Sequence, residues 1–68
     1  MKIRLNNRGE LVNGTEQMTV QELLDYKNFT FKFLVVKING VAVKPDDYAH
    51  TMIHDGDEVL VLHLISGG

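Results

Sequence analysis

The sequence MTVQELL, residues 18–24, is the clearest local structural signal in this chain. Thr19 and Glu22 have the spacing of a capping box, in which each side chain accepts a hydrogen bond from a backbone N–H at the other end of the first helical turn. Met18 and Leu23 occupy the positions of a hydrophobic staple. The stretch therefore predicts a helix that begins directly after Thr19.

The apolar residues of this segment predict which surface the helix buries. Val20, Leu23 and Leu24 lie on one stripe, with Lys27 at the next position of the same stripe. These residues predict one amphipathic helix of about two turns, with an extension by Tyr26 as the alternative, that covers one face of a sheet.

Two strands are predicted before the helix. Met1, Ile3 and Leu5 alternate with polar residues, as in a strand with one buried face. The sequence NNRG, residues 6–9, suits a tight turn, and ELV, residues 10–12, begins the returning strand of a hairpin.

A third strand is predicted after the helix, within the aromatic and β-branched stretch NFTFKFLVVKING, residues 28–40. Leu34, Val36 and Ile38 alternate, and Asn39 and Gly40 supply a turn. The three alternating phenylalanines, Phe29, Phe31 and Phe33, are expected to fill the core; the alternative is an exposed aromatic edge.

The remaining segments complete the predicted order of elements. Pro45 and the two aspartates after it suit the first turn of a brief helix, because proline is tolerated there and carboxylates favour the positive end of the helix dipole. HDGDE, residues 54–58, is a turn, and residues 58–65 form the last strand. The order strand, strand, helix, strand, short element, strand predicts an α+β domain, a mixed sheet with one main helix packed across one face.

One helix leaves the second face of the sheet open. Successive residues of the last strand face opposite sides, and both sets are largely apolar: Val59, Val61, His63 and Ile65 on one side, and Leu60, Leu62 and Leu64 on the other. We expect Val59 and Val61 in the core and the three leucines outside. An exposed apolar strip of this kind is typical of a partner-binding surface; the alternatives are cover by a loop and self-association.

Composition limits the classes of function. The chain has 68 residues, no cysteine and a net charge of -2, which favours one domain with a modest core and excludes thiol nucleophiles and zinc-thiolate sites. No run of lysines or arginines favours nucleic acid. The first residues, MKIRLNN, do not resemble a signal peptide, and the apolar stretches are too short to span a membrane, so we expect a soluble cytoplasmic protein.

Histidines and acidic residues give weak signals for metal. His50 and His54 would share a face if their segment were helical, but a third ligand is not evident, so solvated histidines are favoured. Asp55, Asp57 and Glu58 are better explained as a turn before a strand than as a calcium loop. We therefore expect no metal site.

The sequence ends in HLISGG, residues 63–68, and the final two glycines carry no side chain. Extended, Ser66, Gly67 and Gly68 span roughly 10 Å. Glycines allow surrounding walls to close on the backbone. Such a tail is slim enough to thread a narrow channel in another protein.

Taken together, TVQELL, INGVAV, DGDEVLVL and the terminal ISGG resemble the ThiS family of sulfur carriers, β-grasp relatives of ubiquitin and of the molybdopterin carrier MoaD. The resemblance covers essentially the whole chain, and its most specific elements are the turn at Asp55, Gly56 and Asp57 and the end at Gly67 and Gly68. It implies a single β-grasp domain over residues 1–68 with a flexible tail at 66–68.

The resemblance also implies a chemistry. The Gly68 carboxylate would be adenylated by a ThiF-like enzyme that consumes ATP, converted to a thiocarboxylate with sulfur from a donor such as a cysteine desulfurase, and used by a ThiG-like thiazole synthase to build the thiazole of thiamine. The chain would bind no cofactor and would be a carrier, not an enzyme. Ser66, Gly67 and Gly68 would thread the partner's active site. The partner-binding residues would be Leu60, Leu62, Leu64 and Ile65.

Other functions stay open at this point. The sulfur could be destined for molybdopterin, tRNA or another metabolite. A protein modifier of the ubiquitin kind would pass Gly68 to lysines of other proteins. A noncovalent β-grasp binding module would use the sheet and ignore the terminus.

Overall fold

A computed structural model of the chain describes residues 1–30 and 33–63. The elements in that part of the chain are, in order, β1 (Lys2–Leu5), β2 (Arg8–Leu11), β3 (Gln17–Thr19), α1 (Val20–Tyr26), β4 (Leu34–Ile38), β5 (Val41–Val43), a 3₁₀ helix (Pro45–Asp47), β6 (Met52–His54) and β7 (Glu58–His63).

Five strands form the main sheet, in the order β2-β1-β7-β4-β5. β7 pairs in parallel with β1 and antiparallel with β4, while β1–β2 and β4–β5 are antiparallel hairpins. The predicted α+β class, a mixed sheet with one main helix, is confirmed. β7, the last strand of the described residues, lies in the middle of the sheet, so its alternate residues supply both faces.

A second, two-stranded sheet joins β3 to β6 and was not predicted. Met18 pairs with Ile53 in its centre, and both side chains are buried. Each strand has three residues, which is too short to give a periodic signal in the sequence. This small sheet brings residues 52–54 alongside the start of the helix.

Two-residue turns connect both hairpins. Asn6 and Asn7 have φ values of 52° and 68°, the left-handed conformation that the hairpin turn between β1 and β2 requires. The returning strand therefore begins at Arg8, and the predicted start at residues 10–12 was two residues too late. Asn39 and Gly40 form the equivalent turn between β4 and β5, as predicted.

The helix begins at Val20, as predicted, and the capping box is formed. Thr19 Oγ1 accepts a hydrogen bond from the Glu22 backbone N–H at 3.0 Å, and Glu22 Oε1 accepts one from the Thr19 N–H at 2.8 Å. The next two N–H groups are also satisfied, since Val20 donates to the Thr51 carbonyl and Gln21 to the Tyr48 carbonyl. The segment around the 3₁₀ helix thus caps the start of α1.

The helix ends in a Schellman motif. Asn28 adopts φ 60°, its N–H donates to the Asp25 carbonyl, and the Phe29 N–H donates to the Leu24 carbonyl at 2.8 Å. Phe29 packs against the core, as such motifs commonly allow. Asparagine tolerates the left-handed conformation better than most residues, which explains why the helix stops after two turns.

One core cluster lies between the main sheet and the helix. The predicted stripe of Val20, Leu23 and Leu24 is buried, as are Val59 and Val61. The other buried apolar residues in the described part of the chain are Ile3, Leu5, Val12, Met18, Val36, Tyr48 and Ile53. Lys27, next on the helix stripe, caps the helix and its Nζ lies 3.1 Å from Glu10 Oε1 on β2.

The aromatic segment departs from its prediction. Phe29 is partly buried against the core, but Phe33 is 51% exposed, so core filling was wrong for Phe33. β4 begins at Leu34, and alternation along it leaves the core positions to Leu34, Val36 and Ile38. Phe31 lies outside the described residues.

Candidate functional site

The open face of the main sheet centres on β7. Val59 and Val61 are 1% and 7% exposed on the core side, whereas Leu62 is 44% exposed and Leu60 is half-buried on the other side. The predicted division between core and open face is confirmed for these four residues.

The register extends the apolar surface onto the neighbouring strand. Val35 of β4 lies directly opposite Leu62, and Lys37 lies opposite Leu60. We call Val35, Leu60 and Leu62 the apolar strip. Val35 was missed as a site residue, although the alternation of residues 34–38 already placed it on the face opposite to Val36.

The other residues that the sequence assigned to the site fall outside the described residues. They are Leu64, Ile65, Ser66, Gly67 and Gly68. What the structure describes is the strand that leads into them and the surface beside that strand.

β7 is fixed near its described end by the first hairpin. The Asn6 N–H donates to the Val59 carbonyl at 2.9 Å, and Asn6 Oδ1 accepts from the Val61 N–H at 2.8 Å. The parallel pairing of β1 with β7 ends at Leu5 and Val59. Beyond that pair, the Asn6 side chain adds one more hydrogen bond between the hairpin and β7. The segment before residues 64–68 therefore has a defined position.

The turn at Asp55, Gly56 and Asp57 is held by its own carboxylates. Asp57 Oδ2 accepts from the His54 N–H at 2.9 Å, and Asp57 Oδ1 accepts from Asn39 Nδ2 at 3.1 Å. Asp55 Oδ1 accepts from the Lys2 N–H, and Gly56 takes φ 87°. These contacts agree with the predicted turn, since both carboxylates receive backbone donors.

Asn39 links this turn to the β4–β5 hairpin. Its Oδ1 accepts from the Glu58 N–H at 2.9 Å, and its backbone N–H donates to the Glu58 carbonyl at 2.7 Å. Asn39 and Asp57 thus fix the start of β7 as Asn6 fixes its later part.

The two histidines considered as a metal pair do not share a helix. His54 lies in β6 and His50 in the preceding turn, and both are exposed. His54 Nδ1 lies 3.9 Å from Asp57 Oδ2. Within residues 1–30 and 33–63, no three His, Cys, Asp or Glu side chains are grouped to hold a metal ion.

The helices of the described segments are too short or too polar to cross a membrane. The longest, α1, has seven residues.

A mixed sheet that holds one capped helix on one face and an apolar strip on the other, with its last strand at the centre, defines a ubiquitin-like β-grasp protein. The ThiS family model matches residues 3–68 of the chain. The chain belongs to the ThiS family.

Solved structures agree with this assignment. The crystal structure of the thiamine biosynthesis protein ThiS from Geobacter metallireducens is 29% identical, covers all of both chains and has a TM-score of 0.90. The NMR solution structure of a thiamine biosynthesis protein from the same organism is also 29% identical, covers all of this chain and 88% of that one, and has a TM-score of 0.81.

A similar curated protein is the uncharacterized protein ycf40 of Porphyra purpurea. It is 29% identical over 66 residues, which are 97% of this chain and 93% of that protein. Its name assigns no activity.

Proposed function

We propose that the chain is a sulfur carrier that supplies sulfur for the thiazole of thiamine, and that it is a co-substrate of enzymes, not an enzyme. The observation that carries this proposal is the ThiS family match over residues 3–68. The likeness to a thiamine biosynthesis protein over the whole chain supports the thiazole pathway.

The chemistry takes place at the Gly68 carboxylate. A free α-carboxylate has a pKa of roughly 3.3 to 3.7, so it is ionised at neutral pH and is a poor electrophile. A ThiF-like enzyme activates it: a carboxylate oxygen attacks the α-phosphate of ATP, a C–O–P mixed anhydride forms, and pyrophosphate leaves. No base of the carrier is required, because the attacking oxygen is already ionised.

Sulfur then replaces the adenylate. A persulfide generated by a donor such as a cysteine desulfurase attacks the activated carbonyl carbon with its outer sulfur; a C–S bond forms, and AMP leaves with the electron pair of the broken C–O bond. A thiol reductant then attacks the donor's sulfur in the resulting acyl disulfide, so that an S–S bond forms between the reductant and the donor and the acyl sulfur leaves with the electron pair of the broken S–S bond. The product is a thiocarboxylate at Gly68, which a ThiG-like thiazole synthase accepts as its sulfur source. Ser66, Gly67 and Gly68 supply the narrow segment that enters each enzyme.

The carrier's body supplies binding. The apolar strip of Val35, Leu60 and Leu62 lies on β7 and its neighbour β4, and β7 is the strand that leads into residues 64–68. In the proposal, Leu64 continues the strip and Ile65 is a further partner-binding residue. Contact between the strip and the enzyme would position Gly68 at the nucleotide. ATP is consumed by the partner, and the carrier itself holds no cofactor.

The test is the intact mass of the protein after incubation with a ThiF-like enzyme, ATP and a sulfur donor. The expected product has one oxygen replaced by one sulfur, and the shift is absent without ATP and absent in a variant that lacks Gly68. The deletion variant is first shown to unfold at the same urea concentration as the full chain, so that loss of the product reports the chemistry.

Other outcomes would change the assignment. If an active ThiF-like enzyme catalyses pyrophosphate exchange equally well with the Gly68 deletion, the carrier role is wrong and a noncovalent binding module is favoured. If the thiocarboxylate forms but a thiazole synthase does not consume it, the sulfur belongs to another pathway, such as that of molybdopterin.

A further inference from the structure

The open face of the main sheet is positively charged, although the protein as a whole is negative. The strands place three cations on that face, Lys2 and Arg4 from β1 and Lys37 from β4. Glu58 is the carboxylate that the paired strands place beside them, opposite Arg4. The whole chain carries a net charge of -2.

The compensating carboxylates lie on segments that cover the other face. Glu22 and Asp25 belong to α1, and Asp46 and Asp47 belong to the 3₁₀ helix, whose following residue, Tyr48, is bound to the start of α1. Arg8 and Lys27 also lie on the helix side, where Lys27 pairs with Glu10, but the carboxylates of that side outnumber its cations. The helix side is therefore acidic on balance and the open face basic on balance.

The cations of the open face flank the apolar strip. Lys37 lies directly across from Leu60, on the β4 side of the strip. Arg4 lies on β1, the neighbour of β7 on the opposite side. In the described part of the chain, the ammonium groups of Lys2 and Lys37 take part in no ion pair, so their charges are available to a partner.

A surface concavity lies on the β1 side of the open face. It has a volume of about 400 Å³ and is lined by Lys2, Ile3, Arg4, Gly9, Asp55 and Gly56. Gly9 is the register partner of Arg4 and has no side chain, and a Cβ built there would meet no atom within 4 Å. The Asp55 carboxylate accepts the Lys2 backbone N–H and keeps its negative charge, so the two cations Lys2 and Arg4 outnumber the one carboxylate in the lining. The Arg4 guanidinium donates to the neutral Asn7 carbonyl at 3.4 Å, which leaves its charge uncompensated by that contact.

We propose that the open face docks an acidic protein surface, one with an apolar patch that meets Val35, Leu60 and Leu62 and with carboxylates on both sides of that patch. One carboxylate pairs with Lys37, and another enters the concavity beside Lys2 and Arg4. The inference rests on the proposed function in one respect: the partner that carries this surface is the adenylating enzyme.

The charge pattern gives a physical reason for the arrangement. On a protein of net charge -2, a basic face opposite an acidic surface orients the encounter and raises the association rate. The same pattern disfavours docking through the acidic helix side. The apolar strip then supplies the contact area, and the cations determine which surface is accepted.

The experiment measures binding of the full chain to the ThiF-like enzyme by calorimetry, with matched charge reversals. Lys37→Glu is compared with Lys44→Glu, which makes the same charge change in the exposed loop before the 3₁₀ helix. Arg4→Glu is compared with Arg8→Glu, which lies in the same hairpin but opposite Leu5, on the other side of the sheet. Urea unfolding of every variant verifies that the domain is intact.

The two open-face variants are expected to weaken binding by about tenfold at about 0.1 M salt, while each control changes it by less than about threefold. The difference should shrink at about 1 M salt, because the screening length falls from about 10 Å to about 3 Å.

Equal loss in a variant and its control would overturn the inference, since net charge alone would then explain it. Unchanged binding in both open-face variants, with binding lost on substitution of Leu62, would also overturn it and leave an uncharged docking contact. Dimerisation of the free chain that is lost in the same variants would assign the face to a second copy instead.

A different measurement tests the proposed function, independently of the docking experiment. That function fails if the Gly68 deletion still supports pyrophosphate exchange, whatever the affinities of the charge variants.

Discussion

Asn6 Oδ1 accepts a hydrogen bond from the backbone N–H of Val61 at 2.8 Å, across 55 positions of sequence. Asn6 itself has left β1 and adopts φ 52° in the hairpin turn. One residue therefore does two things: its backbone closes the first hairpin, and its side chain continues the pairing of that hairpin with the central strand. The position of the strand that precedes residues 64–68 depends on a turn near the start of the chain.

The contribution of this hydrogen bond to stability can be measured with Asn7, the neighbouring turn residue, as the control. Asn6→Ala and Asn7→Ala both place alanine at a positive φ, but of the two only Asn6 makes a side-chain hydrogen bond to β7 in the described structure. We expect Asn6→Ala to lower the free energy of unfolding by about 1 to 2 kcal/mol more than Asn7→Ala, because the Val61 N–H loses its acceptor. Urea denaturation measures both. Equal losses would show that the turn conformation, and not the bond to β7, accounts for the cost.

Asp57 is expected to be the most sensitive carboxylate of its turn. Asp57→Ala removes the acceptor of both the His54 N–H and Asn39 Nδ2, and the expected loss is about 1 to 3 kcal/mol. Asp46→Ala, in the exposed 3₁₀ helix, serves as the control and should change stability by less than about 0.5 kcal/mol. Thermal denaturation of the two variants compares them. A similar small effect in both would mean that solvent replaces the contacts of Asp57 without cost.

Because Tyr48 is buried, we expect the protein to lose stability at alkaline pH. Burial raises the pKa of the Tyr48 hydroxyl above the ordinary value of 10.0, because the phenolate would be poorly solvated. As the pH rises above about 10, the unfolded chain loses this proton before the folded protein does. The stabilisation is therefore complete below about pH 10 and is lost as the pH rises towards the raised pKa.

Two tyrosine variants test this prediction by urea denaturation between about pH 8 and 11. Tyr48→Phe keeps the buried ring and removes the titrating group, so its stability should fall less steeply with pH than that of the parent. Tyr26→Phe, at the 55% exposed tyrosine of α1, should retain the full alkaline loss. If the Tyr48→Phe curve parallels that of the parent, other groups cause the loss.

The sequence predicted the features that follow from local chemistry or from regular alternation. The capping box of Thr19 and Glu22 and the core positions Val59 and Val61 were predicted in this way, and all were confirmed. In each case the signal lies within a few residues, and tertiary contacts reinforce it.

The missed features depend on contacts between distant segments. β3 and β6 are three residues long and become strands because they pair with each other across more than thirty positions. Phe33 is exposed because the first core position of β4 is Leu34, and alternation alone did not fix where that strand begins. The bond from Asn6 to Val61 had no sequence signal, since the asparagine is fully explained by its turn.

Leu62 and Val61 give the sharpest test of the open face, because they are adjacent in β7 and lie on opposite sides of the sheet. Val61→Asp places a carboxylate at a 7% exposed core position and is expected to lower the free energy of unfolding by more than about 3 kcal/mol. Leu62→Asp makes the same kind of change at a 44% exposed position, where the carboxylate stays hydrated and the cost should be less than about 1 kcal/mol.

The binding readout separates a docking role from a structural one. Leu62→Asp should keep the fold and lower the rate of pyrophosphate exchange by the ThiF-like enzyme at least tenfold, since it breaks the apolar strip and adds a negative charge where we propose that an acidic surface docks. Melting temperature and exchange activity, measured on the same preparations, distinguish the cases. A fall in melting temperature as large as that of Val61→Asp would place Leu62 in the core, and full stability with undiminished exchange would remove the strip from the docking surface. Because the two substitutions introduce the same side chain one position apart, the difference between them reports which face of the strand the partner uses.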